Sequence, residues 1–381
     1  MATTDTDDTP SRTRVEVLGS IGPNWFASVM GTGIVAVAGA TLPVHVPGLR
    51  VFAGVVWVFA ALLLVVLGVV VGGHWLRHPT VARRHARNPQ MAHFYGAAPM
   101  ALLTVGAGAT LVGRDLIGER AAVDLDWVLW TAGTAAGLFT AVSIPFLMFT
   151  QHHVEPDAAF GGWLMPVVPP MVSAATGALL IPHLAPGVGR QTMLYGCYAM
   201  FGLSLVASLL IIAMIWSRLT LYGTSGTARV PTLWIVLGPL GQSITAAGLL
   251  GNTAALAVDR ELAEDLSAFG ILYGVPVWGF AVLWIALATA LTVRTLRRGM
   301  PFALTWWSLT FPVGTFVTGT TQLALHTHLP AFKVAAALAY VGLLSTWLLV
   351  AVRTARGSVR GNLFQPPPST GPVRARKDPV R

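Results

Sequence analysis

The stretch NWFASVMGTGIVAVAGAT, Asn24–Thr41, decides how the rest of the chain is read. It carries no charged residue and is apolar enough to enter a bilayer. Yet Gly31, Thr32 and Gly33 form a Gly-Thr-Gly at its middle, with Ser28 and Thr41 on either side. A glycine inside a helix costs about 1 kcal/mol relative to alanine. A span that keeps two of them at mid-depth needs a close backbone neighbour or something other than lipid beside it.

The 381 residues are 54% hydrophobic and 10% charged, whereas an ordinary soluble domain is about a quarter charged. The composition is that of an all-α integral membrane protein. Apolar windows of roughly 20 residues predict ten spans, near 24–41, 51–72, 91–112, 127–149, 162–182, 192–216, 231–257, 268–292, 302–325 and 332–352. The organisation expected is a cytoplasmic amino-terminal tail over 1–20, a transmembrane domain over 21–352, and a basic, Pro-rich disordered cytoplasmic tail over 353–381. Residues 1–20 lack a separate apolar core, so Asn24–Thr41 reads as a retained first span rather than a cleaved leader.

The formal charge of +9 does not point to nucleic acid. With the amino terminus inside, 18 of the 24 Lys and Arg fall on the cytoplasmic side of these spans. That asymmetry is the positive-inside signal, with both termini cytoplasmic. Most tryptophans, among them Trp75, Trp127, Trp163, Trp216 and Trp306, fall near span ends, as an interfacial belt requires. The lone Cys197 excludes a disulfide within the chain.

The odd-numbered spans are nearly twice as rich in Gly, Pro, Ser, Thr, Asn and Gln as the even ones, span 4 being the exception. Short loops make consecutive spans antiparallel neighbours, so ten spans make five helical hairpins. The richer member of each would face a central pore. Helical spacing places small and hydroxyl-bearing residues on common faces. These are Ser28, Gly31 and Thr32 in span 1, Gly96, Pro99 and Gly106 in span 3, and Pro166, Ser173 and Thr176 in span 5. Span 7 contributes Gly241, Thr245, Gly248 and Asn252, and span 9 contributes Phe311, Thr315, Thr318 and Gln322. Such faces serve either as tight helix contacts or as the lining of a solute path. Prolines inside the odd spans, Pro99, Pro166, Pro169, Pro239 and Pro312 among them, are expected to kink them.

No Asp, Glu, Lys or Arg lies well inside a span so drawn, which disfavours a cation pump. It leaves uncharged donors, the Thr and Ser hydroxyls and the Gln242 and Asn252 amides, which suit weak anion binding and also leave an uncharged solute open. His152 and His153 are adjacent and His326 and His328 two apart, spacings that put no ligand pair on one helical face, so no metal or cofactor is expected. His93 stands where an interfacial or titrating mouth residue would. No P-loop, HExxH or CxxC is present. A membrane-bound, His-dependent redox enzyme is the alternative of another class.

Four stretches, GPNWFASVMGTGIVA, NPQMAHFYGAAPMALLTV, GPLGQS and WWSLTFPVG, resemble the tellurite-resistance/dicarboxylate transporter family. That family includes bacterial tellurite-resistance proteins, fungal malate permeases and sulfite efflux pumps, and plant slow anion channels. The likeness runs in order over nearly all of 21–352. It implies a homotrimer in the cell membrane with a pore in every protomer and the odd helices innermost. It implies small anions as solutes, C4-dicarboxylates such as malate, sulfite or tellurite-like oxyanions first and chloride or nitrate as the alternative. It also implies a pore-plugging phenylalanine in span 9, which the W-x-x-x-F-P frame from Trp307 places at Phe311, with Leu309 where some relatives carry another aromatic.

Overall fold

The computed structural model describes residues 21–77, 79–80, 88–89, 91–152, 154–224, 226–361 and 363. The expected tail over 1–20, and the expected tail beyond 363, lie outside the described residues. Among the described residues the fold is all helix and turn, without strand.

Ten principal helices follow one another: α1 (Phe26–Thr41), α2 (Leu49–Arg77), α3 (Ala97–Gly108), α4 (Glu119–Thr150), α5 (Pro169–Leu180), α6 (Val188–Tyr222), α7 (Leu237–Ala254), α8 (Arg260–Leu296), α9 (Phe311–Thr327) and α10 (Pro330–Val359). The α10 helix carries the chain in regular structure past 352, into the region expected to be tail. Short turns join each odd helix to the even helix that follows it. Gly118, at φ 83°, reverses the chain between α3 and α4 in the left-handed region that glycine occupies without penalty. Asp259 caps α8, its Oδ1 accepting the Leu262 amide at 3.0 Å.

The helices form two shells. The odd-numbered helices touch in a closed ring, α1 on α3, α3 on α5, α5 on α7, α7 on α9 and α9 back on α1. Each even helix packs outside the odd helix that precedes it. Burial follows: 89% of the most apolar stretch of 226–254 is buried, against 22% of that of 260–296. The outer helices instead expose apolar side chains such as Val51 and Val69 on α2, Phe139 on α4, Leu210 on α6 and Leu272 on α8. Apolar area of that extent is stable only against lipid or another protein surface.

Seven helical segments are long and apolar enough to cross a membrane by length and composition: α2, α4, α6, α8 and α10, with α3 and α7 reaching that length only together with their flanking helical turns, as Ala92–Ile117 and Gly226–Ala254. The other three, α1, α5 and α9, have 16, 12 and 17 residues, at or below the usual 17–25. The ten expected spans therefore do not all become ten long helices. The reason is a shared device at the amino-terminal end of every inner helix. A 3₁₀ segment precedes each one: Pro23–Trp25, Ala92–Gly96, Gly161–Leu164, Val230–Val236 and Leu304–Leu309. These five segments also touch in a ring, stacked on one end of the helix ring. Irregular backbone at such depth is tolerable because it is buried in protein.

The prolines belong to this device and do not kink the inner helices midway, as the sequence led us to expect. Pro169 opens α5, Pro312 is the second residue of α9, and Pro99 and Pro239 are third in α3 and α7. A first-turn residue has no intrahelical acceptor for its N–H, so proline loses nothing there. The prolines that lie inside helices are Pro145 and Pro276, in the outer α4 and α8.

Charged groups also enter further than expected. Asp126 is fully buried in α4 and accepts a hydrogen bond from Thr110 at 2.5 Å, while its Oδ1 has no partner. Arg218, 4% exposed on α6, donates to the Gly223 carbonyl at 3.0 Å. Hydropathy windows stop at the charged residue, but α4 and α6 run 32 and 35 residues and carry their ends into the bundle.

Candidate functional site

Two cavities lie inside the ring of inner helices. The narrower one, about 20 Å³, sits at the 3₁₀ end and is lined by Met30, Phe94, Met165, Ile235, Leu304 and Phe311, among others. That space admits about one water molecule. The wider one, about 100 Å³, is bounded by all five inner helices. Phe311, 2% exposed, is the one residue that walls both. It stands at the first position of α9, directly after the Leu304–Leu309 segment, so the break between 3₁₀ and α geometry sets its place.

The wider cavity has a mixed wall. Thr41, Thr104, Thr176, Gln242, Thr245, Thr318 and Gln322 contribute polar groups, and no lining residue carries a formal charge. Ile34, Val37, Leu111, Val172, Leu179 and Leu249 supply most of the apolar remainder. Across it Thr245 and Thr318 share a hydrogen bond of 2.8 Å between their hydroxyls. At the carboxy-terminal end of α9 the Asn252 amide donates to Gln322 Oε1 at 3.2 Å.

Of the residues singled out from sequence, the structure brings Thr176, Thr245, Phe311, Thr318 and Gln322 together on the wider cavity. The others face neighbouring elements. A side chain at Gly31 would run into Trp307 and Thr310, and one at Gly96 into the Met165 carbonyl. One at Gly106 would meet Asp126, one at Gly241 the Thr315 backbone, and one at Gly248 the Gln322 side chain. Ser28 bonds its own helix at the Trp25 carbonyl, 2.7 Å. Thr32 turns outward and accepts from Trp347 Nε1 of α10 at 3.1 Å. Ser173 accepts from Thr134 of α4 at 2.9 Å, and Thr315 donates to the Leu237 and Pro312 carbonyls. The Pro99 carbonyl lies against Gly133 and that of Pro166 near the Thr140 hydroxyl, both on α4. Asn252 is exposed and reaches the cavity only through Gln322.

Sequence reasoning passed over Thr41 and Thr104 and left Gln242 out of its helical faces. A signal was present: Ile34, Val37 and Thr41, then Thr104, Ala107 and Leu111, then Gln242, Thr245 and Leu249 each follow an i, i+3, i+7 spacing. These faces mix threonine with aliphatic residues, so they do not stand out as stripes of small residues do.

The ends of the ring are charged where its interior is neutral. At the 3₁₀ end Arg229 lies over the Phe160 ring at 5.5 Å and Arg353 over Trp306 at 5.1 Å. At the other end Arg50 grips Asp115 with two contacts of 2.5 and 2.9 Å. Both partners are about half exposed, so that pair adds little to stability.

The model of the voltage-dependent anion channel family matches residues 20–355. The chain is 27% identical to a sulfite efflux pump of Trichophyton rubrum, over 90% of this chain and 92% of that protein. It is 27% identical to an uncharacterized transporter of Methanocaldococcus jannaschii, over 88% and 91%. Its identity to a malic acid transport protein of Schizosaccharomyces pombe is 22%, over 90% and 80%.

Proposed function

The chain belongs to the voltage-dependent anion channel family, and from that premise we propose that it carries sulfite or a C4-dicarboxylate such as malate through the ring of its inner helices. The family is one of anion transport, and the chain is a multi-pass membrane protein by that membership and by its apolar helices. It works as a transporter and not as an enzyme.

The observation that carries the reading is the position of Phe311 between two cavities on one axis of the ring. A neutral chamber with a few uncharged polar groups can replace part of an anion's hydration shell without holding it tightly. Phe311 is the gate. With its ring across the axis, the passage narrows to about one water molecule; a turn of the side chain would join the two chambers. Five helical hairpins surround this path, which agrees with the pairing of each outer helix with the inner helix before it. The outer apolar faces give three protomers a surface on which to associate, each keeping its own path. Both termini lie on the cytoplasmic side of the cell membrane, in keeping with the 18 cationic residues assigned there. The 3₁₀ ring is then the cytoplasmic mouth.

The test is flux from proteoliposomes of sulfite, malate, nitrate and chloride, with and without a pH gradient. Phe311→Ala should raise the flux of the transported anion about tenfold or more, the expectation for removing a steric barrier of about 1.4 kcal/mol. Unchanged flux in that variant removes the gate, and flux confined to chloride and nitrate would recast the protein as an inorganic anion channel.

A further inference from the structure

Resting on the transport reading above, we propose that Gln242 is the side chain that contacts the anion in the wider cavity. The threonines around it then select anions that carry an O–H of their own. The argument is a count of protons. A backbone carbonyl can only accept, so a hydroxyl within hydrogen-bond distance of one has given up its proton. Thr41 donates to the Val37 carbonyl at 2.9 Å, Thr104 to Met100 at 2.6 Å and Thr176 to Val172 at 2.9 Å. Thr245 and Thr318 have three contacts for two protons: Thr245 to the Gly241 carbonyl at 2.9 Å, Thr318 to that of Thr315 at 3.0 Å, and 2.8 Å between the hydroxyls. Every threonine on the wall therefore turns lone pairs to the cavity. Five hydroxyls that look like donors in the sequence act as acceptors in the fold.

An anion must find its donors elsewhere. Gln322 has its amide oxygen in a hydrogen bond to Asn252, and its Nε2 is left as a second donor on this wall. Gln242 is 4% exposed, lines the cavity, and makes no hydrogen bond to any described residue. Its amide therefore faces open cavity space, where its N–H groups are available to a solute that accepts them. Chloride and nitrate only accept, so they gain Gln242 but face the threonine oxygens unfavourably. Hydrogen sulfite or a hydroxy-dicarboxylate accepts from Gln242 and donates its own O–H to a threonine oxygen.

The experiment is anion flux in proteoliposomes, run in the wild type and in Phe311→Ala so that a closed gate does not hide the result. Gln242→Met keeps the length and removes the amide, and should lower sulfite and malate flux about tenfold or more, the worth of one charge-assisted hydrogen bond. Malate should pass about threefold or more faster than succinate, which differs by one hydroxyl. Wild-type flux that survives Gln242→Met unchanged overturns the inference and leaves the transport reading standing. So does succinate passing as fast as malate, a comparison that holds even if Gln242→Met does not fold. No flux of any anion in either background defeats the transport reading, and this inference with it.

Discussion

Thr110 and Asp126 illustrate what single residues contribute in a nearly charge-free interior. The Thr110 hydroxyl is the one donor that reaches the Asp126 carboxyl among the described residues, at 2.5 Å. Thr110→Val should therefore destabilise the protein by about 1–3 kcal/mol, because it strands a buried polar group. Asp126→Asn should melt close to the wild type, since its amide oxygen still accepts from Thr110. Melting in detergent compares the two, and equal losses would contradict the account. Gly31 is the second case. Its neighbours are Trp307 of the 3₁₀ segment before α9 and Thr310, which joins that segment to α9, so Gly31→Val forces two inner elements apart. Overpacking of that kind costs about 1–3 kcal/mol, and the variant should show a lower melting temperature and impaired assembly rather than a selective loss of flux. The Gly-Thr-Gly of span 1 is thus a seat for neighbouring side chains: Gly33 meets Thr104 of α3, and Thr32 faces α10.

At the scale of elements, the recurring unit is a 3₁₀ segment followed by a short buried helix, with a proline in or beside the first α turn in α3, α5, α7 and α9 and at the head of the 3₁₀ segment before α1. The unit puts one break of helical geometry at the same depth in all five inner helices, and the five breaks meet in a ring. Proline tolerates this place and glycine makes it close-packed. Pro312→Ala should change stability by less than about 1 kcal/mol, because the N–H it restores has no helical acceptor to find. Gly161→Ala should be far worse, since the added carbon meets the Thr232 carbonyl of the adjacent 3₁₀ segment, and backbone cannot swing aside as a side chain can. A melting difference in detergent between these two variants tests whether the ring is held by backbone contact. The π turn Ala109–Gly113 is a further local irregularity, and Trp57 Nε1 donates to the nearby Val105 carbonyl at 2.9 Å.

For the whole molecule, the consequence is an interior that is narrow at the 3₁₀ end and wider beyond Phe311. Cys197, the sole cysteine, is fully buried against α5 near Gly177, so the wild type should not react with aqueous thiol reagents. Gln322→Cys, near the carboxy-terminal end of α9, should react from the side opposite the 3₁₀ ring alone. With Phe311→Ala added it should react from both sides. Labelling of oriented vesicles with an impermeant reagent reads this directly, and two-sided labelling with Phe311 intact would place the barrier elsewhere.

Composition and charge placement by themselves determined the membrane class, the ten helical segments and their inner and outer assignment. These properties depend on contrast with lipid, which is summed along the chain and needs no knowledge of neighbours. The order of the family's motifs, read with them, pointed to the family. Which residues wall the cavity was decided only by tertiary structure. Glycine marks the places where backbones touch, as at Gly96, Gly161 and Gly241, and such places leave no space for a solute. A cavity wall needs side chains that stop short of one another, which depends on how five helices rotate together. The same holds for Gln242 and the threonines: whether a polar group is free or spent is set by the partner the fold brings to it.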